Sequence, residues 1–239
     1  MKNLILISFL IIPPLLGYPD LQQDFDDVIS KKELLGQFDP SSHPDFEKIH
    51  SDYTNKPSIY LRKKAYSAFK DMFYDAKLCG IDLKIISATR NFNYQKGIWE
   101  RKWKRTKYMG WQKADKALDI LKYSSMPGTS RHHWGTDIDL NDLNNSYFET
   151  GEGQIIYQWL RLHAKDYGFE QVYTSKDQGR TGYQEEKWHW SYLPLSSIYL
   201  QEYNRLITSE DINNFNGSEV AGEIQAIEKY VNGIQKENP

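Results

Sequence analysis

Cysteine is nearly absent from this sequence. Cys79 is the single cysteine among 239 residues, so no disulfide can form within the chain. A domain of this length can bury enough apolar surface to fold without such cross-links. The scarcity of cysteine also excludes zinc sites built from paired Cys-x-x-Cys motifs, and no His-Glu-x-x-His helix is present. Any metal site must therefore be assembled from histidines and carboxylates in another pattern.

Excess charge of either sign is also missing. The 30 Lys and Arg residues nearly balance the 32 Asp and Glu residues, giving a formal net charge of -2. Such a balance gives no reason to expect nucleic acid as a partner. A cluster of basic residues between 96 and 107 is interpreted as a solvated helix face. Hydrophobic residues make up 39% of the chain, which is enough for a core and excludes disorder over its whole length.

Long hydrophobic runs are lacking as well. The one apolar stretch, from Leu4 to Leu16, is too short and too interrupted by Pro13-Pro14 for a transmembrane helix. Lys2 in front of it is typical of a secretory signal peptide. We therefore predict a signal peptide over residues 1–17, an exported protein that is periplasmic or extracellular, and no stable membrane insertion after cleavage. Tyr18 stands where a lipoprotein needs its lipid-bearing cysteine, so no lipid anchor is expected.

The rest of the chain divides into three predicted parts. Residues 18–57 form a polar N-terminal arm with one short helix, residues 58–205 form the main domain, and residues 206–239 form a C-terminal helical extension. Strands and helices mix without strict alternation in the main domain. We therefore predict an α+β fold in which a small antiparallel sheet, flanked by helices, carries the functional site.

Periodicity predicts the individual elements. Apolar residues recur at helical spacing from Leu61 to Ala76, with Gly80 as the stop. Further helices are predicted in two pieces around Gly110, over Gly153 to Tyr167 with Ile155 and His163 facing inward, and along one apolar face from Val220 to Val231. Strand patterns occupy residues 81–89, 169–174 and 187–193.

Two separated segments contain residues from which a metal site could be built. In SRHHWGTDIDL, six residues separate His132 from Asp139, and Gly135 between them lets the chain bend so that both side chains converge. In EEKWHWSY, strand alternation places His189 opposite the two flanking tryptophans. A catalytic zinc ion takes about three N and O ligands and leaves one position for water. Each histidine alone is more often a surface or core residue, so the pairing of the two segments carries the hypothesis.

Three segments, in this order, resemble the signature of the VanY-like D-alanyl-D-alanine carboxypeptidases, which are zinc peptidases related to lysostaphin-type and hedgehog-type domains. They are SATRNFNYQ, the Ser-x-His-x6-Asp pattern from Ser130, and the Glu-x-Trp-His pattern from Glu186. The resemblance implies Zn2+ as cofactor and assigns roles to seven positions. These are the zinc ligands His132, Asp139 and His189, the general base Glu186, and the substrate-binding residues Arg90, Gln95 and Ser130. Tyr192, Trp134 and Trp190 are expected to shape the substrate cleft, with core packing as the alternative.

The spacing and the resemblance disagree about the base. In a straight strand Glu185, four residues before His189, shares its face, whereas Glu186 does not. The resemblance favours Glu186, and a bend at the start of the strand would reconcile the two. Asp137 departs from the small residue that is frequent at this position in the family, and it is either an acceptor behind a ligand or an alternative ligand. His133 is expected to face away from the site.

The resemblance implies a zinc-dependent D,D-carboxypeptidase that hydrolyses the C-terminal D-Ala-D-Ala bond of peptidoglycan stem peptides. If Arg90 is instead a structural ion-pair partner, an endopeptidase of the same fold is the alternative. A non-catalytic cell-wall peptide-binding module is a second alternative, which the presence of Glu186 disfavours. A phosphodiester hydrolase is disfavoured because the net charge is small and a carboxylate-rich two-metal cluster is missing. The sequence gives no indication of the oligomeric state.

Overall fold

The computed structural model describes residues 29–235. The predicted signal peptide lies outside the described residues, as do residues 18–28 of the predicted arm. Within the described range, none of the helices is both long enough and apolar enough to cross a membrane.

Six helices and six strands make up the framework of residues 29–235. The helices are α1 (Lys31–Leu34), α2 (Lys63–Leu78), α3 (Phe92–Trp103), α4 (Lys113–Ile120), α5 (Gly151–His163) and α6 (Leu193–Leu206). The strands are β1 (Phe46–Lys48), β2 (Tyr60–Arg62), β3 (Ile85–Ser87), β4 (Asp137–Leu140), β5 (Phe169–Glu170) and β6 (His189–Tyr192). Short 3₁₀ turns connect several of them.

Four strands form one antiparallel sheet in the order β3-β4-β6-β5, and β1 pairs separately with β2. In the centre of the sheet Asp139 of β4 lies opposite His189 of β6, and Asp137 lies opposite Ser191. The prediction of an α+β fold with a small antiparallel sheet is confirmed. The three predicted strand segments are present as the shorter strands β3, β5 and β6.

The sheet separates an apolar core from a polar face. Along β4, Ile138 and Leu140 join a buried cluster with residues of α2 and α5, and Trp190 of β6 joins the same cluster. Because side chains alternate along a strand, Asp139 and His189 project from the opposite face. A second core, which includes Trp99, forms among α1, α3, α4, α6 and the segment after α6.

Helix α2 follows its predicted pattern. Ala65, Phe69, Met72 and Ala76 are fully buried along one face. The helix ends at Leu78 with Cys79 as its C-cap, and Gly80 follows with a φ of +75°, as the predicted stop requires.

Other helical expectations are wrong in detail. Helix α5 buries Ile156, Trp159 and Leu160, but Ile155 and His163 are exposed, since the buried stripe runs one residue further round the helix. The α3 and α4 helices do lie on either side of Gly110, as predicted.

The C-terminal segment is not one continuous helix. It contains a 3₁₀ turn at Ser218–Val220 and a π-helical turn at Ile227–Val231. Between them Gln225 has a φ of +55°, which interrupts a regular helix. Its apolar residues nevertheless enter the second core, so the helical spacing of these residues serves packing rather than a helix. The predicted N-terminal arm contributes the short α1 and also β1, a strand that the sequence did not indicate.

Candidate metal centre and substrate cavity

Three polar side chains from three elements, a 3₁₀ turn, β4 and β6, meet on the polar face of the sheet. His132 lies in a 3₁₀ turn over Arg131–Trp134, and this turn ends at Gly135 with a φ of +71°. A Cβ at position 135 would stand 2.3 Å from the Phe46 ring, so glycine is required there for space as well as for conformation. The bend then leads directly into β4, which carries Asp139 opposite His189. The predicted convergence of the two segments is thus what the fold produces.

The three donor atoms form a nearly equilateral triangle. His132 Nε2 lies 3.2 Å from His189 Nδ1 and 3.3 Å from Asp139 Oδ1, and His189 Nδ1 lies 3.1 Å from Asp139 Oδ1. A tetrahedral ion with bonds of about 2.0 Å holds its ligands about 3.3 Å apart. The three residues expose 3% or less of their surface. They are a group that could hold one metal ion, and the spacing fits a zinc-sized ion.

The outer nitrogen of each histidine is occupied, which directs the inner lone pair to the triangle. His132 Nδ1 lies 2.8 Å from the carbonyl oxygen of Ala88, which can only accept a hydrogen bond, so Nδ1 carries the proton. His189 Nε2 likewise lies 2.9 Å from Asp137 Oδ1 and donates to it. Two imidazole lone pairs and a carboxylate oxygen therefore face one point. Such an arrangement is repulsive unless a cation or a proton lies between them.

Asp137 stands behind the triangle rather than in it. Besides His189, its carboxylate accepts hydrogen bonds from Arg131 Nε at 3.0 Å and from Thr136 Oγ1 at 2.5 Å. Its pKa is held low, because the Arg131 charge and the His189 hydrogen bond outweigh the effect of burial. Of the two roles left open for Asp137, the geometry favours the acceptor that orients a ligand.

His133 faces away from the triangle. Its Nδ1 lies 2.5 Å from the carbonyl oxygen of Arg90, and its Nε2 accepts a hydrogen bond of 3.0 Å from the amide of Gly128. Both ring nitrogens are therefore satisfied by the backbone. Burial lowers the pKa of His133 to about 3, so it is a neutral structural residue at physiological pH.

The pKa shifts of the three residues indicate that the centre of the triangle favours a positive charge. Burial lowers the pKa of His132, and nearby Arg90 lowers it further. Burial alone would also lower the pKa of His189, but its hydrogen bonds to Asp137 and Asp139 raise it to about 9. The two histidines in turn hold the pKa of Asp139 well below 3.8 despite its burial. A metal ion at this point would take the place of the proton on His189.

Glu186 lies at the edge of the triangle, and its carboxylate lines the cavity. Its Oε2 is 3.9 Å from His189 Nδ1, and the residue is only 7% exposed. Burial raises the pKa of Glu186 to about 7, although the His189 charge opposes the shift. A carboxylate with such a pKa can accept and return a proton near neutral pH.

The choice between Glu185 and Glu186 follows from where β6 begins. The strand starts at His189, and a turn precedes it in which the His189 amide donates to the Glu186 carbonyl oxygen at 3.3 Å. This turn folds Glu186 back beside His189, so the straight-strand argument for Glu185 is wrong. The same turn removes Trp188 from the strand, and Trp188 lines the cavity with His189 instead of lying opposite to it.

Arg90 enters the cavity just after β3. Its Nε donates to Gln95 Oε1 at 3.0 Å, and its Nη1 donates to Ser87 Oγ at 2.8 Å and to Asp139 Oδ2 at 3.3 Å. Gln95 is itself fixed by a hydrogen bond of 2.8 Å to the carbonyl oxygen of Ser125. Within residues 29–235, Nη2 of Arg90 has no hydrogen-bond partner. The guanidinium is therefore held in one orientation with Nη2 available for a ligand.

These residues line one cavity of about 570 Å³. Ser130 also lines it, and its buried hydroxyl has no hydrogen-bond partner within residues 29–235. This hydroxyl is available to hydrogen-bond a group that enters the cavity.

The prediction that Tyr192 lines the cleft is wrong. Tyr192 lies three residues after His189 on β6 and so projects from the other face of the sheet, where its ring packs against Phe169 at 5.3 Å. Trp134 and Trp190 are core residues. Strand parity alone could have excluded Tyr192 and Trp190.

Sequence reasoning missed much of the cavity wall. Its further lining residues, from segments distant in the sequence, include Ile98, Lys102, Tyr123, Ser124, Ser125, Arg131, Leu143, Asn144, Asn145, Ser146, Tyr173, Tyr183 and Trp188. Tyr173, for example, packs its ring 4.6 Å from the ring of His189. No spacing rule connects these segments, since only the folded sheet brings them together.

Comparison with known proteins agrees with this geometry. The chain is 29% identical over 192 residues to YodJ of Bacillus subtilis (strain 168), which is named as a carboxypeptidase, and 26% identical over 160 residues to a D-alanyl-D-alanine carboxypeptidase of Enterococcus faecalis (strain ATCC 700802 / V583). The matches cover 77% and 67% of this chain, but only 65% and 58% of those relatives. The chain therefore spans about three fifths of the length of the curated relatives it matches.

Two solved structures have a similar fold. VanYB in complex with D-alanine-D-alanine superimposes with a TM-score of 0.51 at 22% identity, over 72% of this chain and 92% of that one. The LdcB LD-carboxypeptidase superimposes with a TM-score of 0.53 at 24% identity, over 82% of this chain and 81% of that one. At these identities the likeness concerns the fold alone.

The sequence match extends over the whole site. The family described as VanY, D-alanyl-D-alanine carboxypeptidase, matches residues 58–195, which include Arg90, the triangle of donors and Glu186. This chain belongs to the VanY family of D-alanyl-D-alanine carboxypeptidases.

Proposed function

We propose that this protein is a zinc-dependent D,D-carboxypeptidase that removes the terminal D-alanine from peptidoglycan stem peptides. The observation that carries the proposal is the meeting of His132, Asp139 and His189 beside the carboxylate of Glu186 in one cavity. Membership of the VanY family supports the choice of bond and substrate.

Zinc suits this donor set better than other divalent ions. Two imidazole nitrogens and one carboxylate oxygen leave a fourth tetrahedral position open, as in catalytic zinc sites. When bound, the ion supplies an activated water and polarises the carbonyl group of the scissile bond. His132, Asp139 and His189 hold it, and Asp137 and the Ala88 carbonyl keep the two imidazoles oriented.

Glu186 is the proton carrier of the proposed reaction. Burial raises its pKa to about 7 in the metal-free protein and a bound cation would lower it, so the carboxylate is ionised at neutral pH and accepts a proton from the attacking water. It then donates that proton to the amine of the departing D-alanine. Its carboxylate lies at the edge of the triangle, where it would be close to a water activated by a bound ion.

Arg90 restricts cleavage to the end of the chain. The free Nη2 of its guanidinium donates to the terminal carboxylate of the substrate, which sets the scissile bond one residue from the C-terminus. Gln95 holds Arg90 in this orientation, and the Ser130 hydroxyl supplies a further hydrogen bond to the bound peptide.

Peptidoglycan lies outside the cytoplasmic membrane, so the proposed substrate agrees with the expectation of an exported, periplasmic or extracellular protein. The apolar segment that precedes residue 18 in the sequence supports the same location.

The proposal is tested by incubating the purified protein with defined stem peptides, with and without a chelator, and identifying the products by mass. We expect release of a single D-alanine, loss of the activity with chelator and its return with zinc. Release of a longer fragment would identify an endopeptidase. Binding without turnover would identify a peptide-binding module.

The role of Arg90 is tested with Arg90→Ala and with Arg90→Lys, which keeps the charge but loses the guanidinium donors that hold the side chain in place. We expect Arg90→Ala to lower kcat/KM on free C-termini about tenfold to hundredfold while sparing C-terminally amidated peptides. Zinc content is measured in parallel, because Arg90 also contacts Asp139. An equal loss on both kinds of peptide would indicate a structural arginine.

A further inference from the structure

One wall of the cavity carries a positive charge that the proposed reaction does not use. Helix α3 contributes Gln95, Ile98 and Lys102 to this wall, and their spacing of three and four residues places them on one side of the helix. Gln95, at one end of this row of three residues, accepts a hydrogen bond from Arg90. Lys102, at the other end, belongs to the basic segment 96–107 that the sequence alone presents as a solvated face.

Lys102 has no anionic partner among residues 29–235. It is half-buried, and its ammonium donates a hydrogen bond to the neutral hydroxyl of Ser124. Burial lowers the pKa of Lys102, and the charges of Arg105 and Arg90 lower it further, while Glu186 opposes them. A charge that is partly withdrawn from water beside other cations is costly unless an anion joins it.

A second donor group, the hydroxyl of Tyr183, lines the same cavity. Tyr183 is 2% exposed, lines the same cavity, and its hydroxyl has no hydrogen-bond partner within the described chain. The side chain of Ser125 lies near this hydroxyl, and Ser125 directly follows Ser124, which accepts the hydrogen bond from Lys102. An ammonium without an anionic partner among residues 29–235 and a buried phenol can both donate hydrogen bonds to a carboxylate.

The separation along α3 between Gln95, which holds Arg90, and Lys102 sets the approximate position of that carboxylate in the substrate. Gln95 and Lys102 are seven residues apart on α3, which corresponds to about 10 Å along the helix axis. An extended peptide covers this length in about three residues. A peptide whose terminal carboxylate is bound at Arg90 therefore reaches Lys102 with a group two or three residues before its last residue.

We propose that Lys102, together with the hydroxyls of Ser124 and Tyr183, binds a second carboxylate of the substrate, two or three residues before its C-terminal residue. Lys102 is thus a specificity-determining residue that selects peptides with a side-chain carboxylate at this position over peptides with an amide there. This inference rests on the proposed function, because it takes the terminal carboxylate to lie at Arg90.

The test uses two matched pairs of acetylated peptides that end in D-Ala-D-Ala and carry glutamate or glutamine at the third or the fourth position from the C-terminus. Each pair differs only in one charge. Wild-type protein is compared with Lys102→Met, which keeps the length of the side chain, and with Lys104→Met, which removes an exposed charge from the same segment. Rates of D-alanine release give kcat and KM, and tryptophan fluorescence in the presence of chelator gives Kd without turnover.

We expect wild-type protein to prefer the glutamate peptide of at least one pair by about tenfold or more in kcat/KM. Lys102→Met should abolish this preference by raising KM on the glutamate peptide alone, while Lys104→Met should behave as wild type. Equal rates on glutamate and glutamine peptides would overturn the inference and leave the proposed function intact. A loss of kcat on all peptides in Lys102→Met would overturn it too, since Lys102 would then act at the reacting bond.

If no peptide is hydrolysed, the proposed function fails and the Kd values decide the inference separately. A tighter Kd for glutamate peptides that is lost in Lys102→Met supports a carboxylate subsite. Equal Kd values within both pairs contradict it.

Discussion

The two faces of the β4–β6 strand pair differ in what completes them. On one face Ile138 and Trp190 pack against α2 and α5, so every contact they need comes from the chain itself. On the other face Asp139 and His189 turn acceptor atoms towards each other and towards His132. The apolar face is thus complete within the chain, whereas the polar face would be completed by an ion and a substrate under the proposed function. The comparison indicates that function is found where buried polar groups remain unsatisfied.

The largest effect on the polar face is expected from Glu186→Gln. The amide keeps the shape of the side chain but cannot accept the proton, so kcat should fall about 10²-fold to 10⁴-fold. Zinc affinity and the free energy of unfolding should change little, because Glu186 is not one of the three donors. The measurement is D-alanine release together with zinc titration. A fully active variant would remove Glu186 from the mechanism.

The apolar face should show the opposite pattern in Met72→Ala. Met72 is fully buried on α2, so its truncation leaves a cavity and should lower the free energy of unfolding by about 2–5 kcal/mol. Denaturant unfolding measures this change, and kcat/KM measured well below the melting temperature should stay at the wild-type value. A loss of activity in the still-folded variant would show that the two faces are not independent.

A smaller effect is expected from Asp137→Asn, which lies behind the polar face. The amide cannot hold the His189 Nε2–H as the carboxylate does, so zinc affinity should fall about tenfold to hundredfold. Competition with a chromophoric chelator measures the affinity. If the affinity is unchanged, Asp137 serves only its ion pair with Arg131.

The smallest effect concerns pH. Glu186 must be ionised to act as a base, and burial raises its pKa from 4.5 to about 7 in the metal-free protein. A bound cation lowers this pKa, so the acid limb of kcat/KM should lie below pH 7 and fall about tenfold per unit. Zinc content is checked at each pH, because at low pH a proton on His189 competes with the zinc ion. A rate independent of acid pH, at constant zinc content, would contradict Glu186 as the base.

The parts of the molecule that the sequence predicts are those governed by local rules. Helix α2 follows from its 3.6-residue period and ends at Gly80, and the bend at Gly135 follows from the one residue that tolerates it. The C-terminal segment keeps helical spacing, yet Gln225 in the left-handed region breaks the helix, and no local signal indicates this. In the C-terminal segment the spacing therefore predicts which residues make apolar contacts, but it does not predict the backbone conformation.

The site shows the same division. The motifs identify the three donors and Glu186, and strand parity places Asp139 and His189 on one face. The turn before β6, which brings Glu186 rather than Glu185 into the cavity, depends on contacts with Tyr173 and Asn145 from other segments. Lys102 and Tyr183 reach the cavity wall through the tertiary fold alone, so their neighbourhood could not be inferred from spacing.

The most direct test of the central claim is X-ray absorption spectroscopy of the protein loaded with equimolar zinc. The account predicts a four-coordinate ion with two imidazoles and oxygen ligands at about 2.0–2.1 Å and no sulfur. In His132→Ala one imidazole should be lost, whereas replacing the exposed His163 should leave the spectrum unchanged. A spectrum without two imidazoles, or one that is unaltered in His132→Ala, would contradict the account.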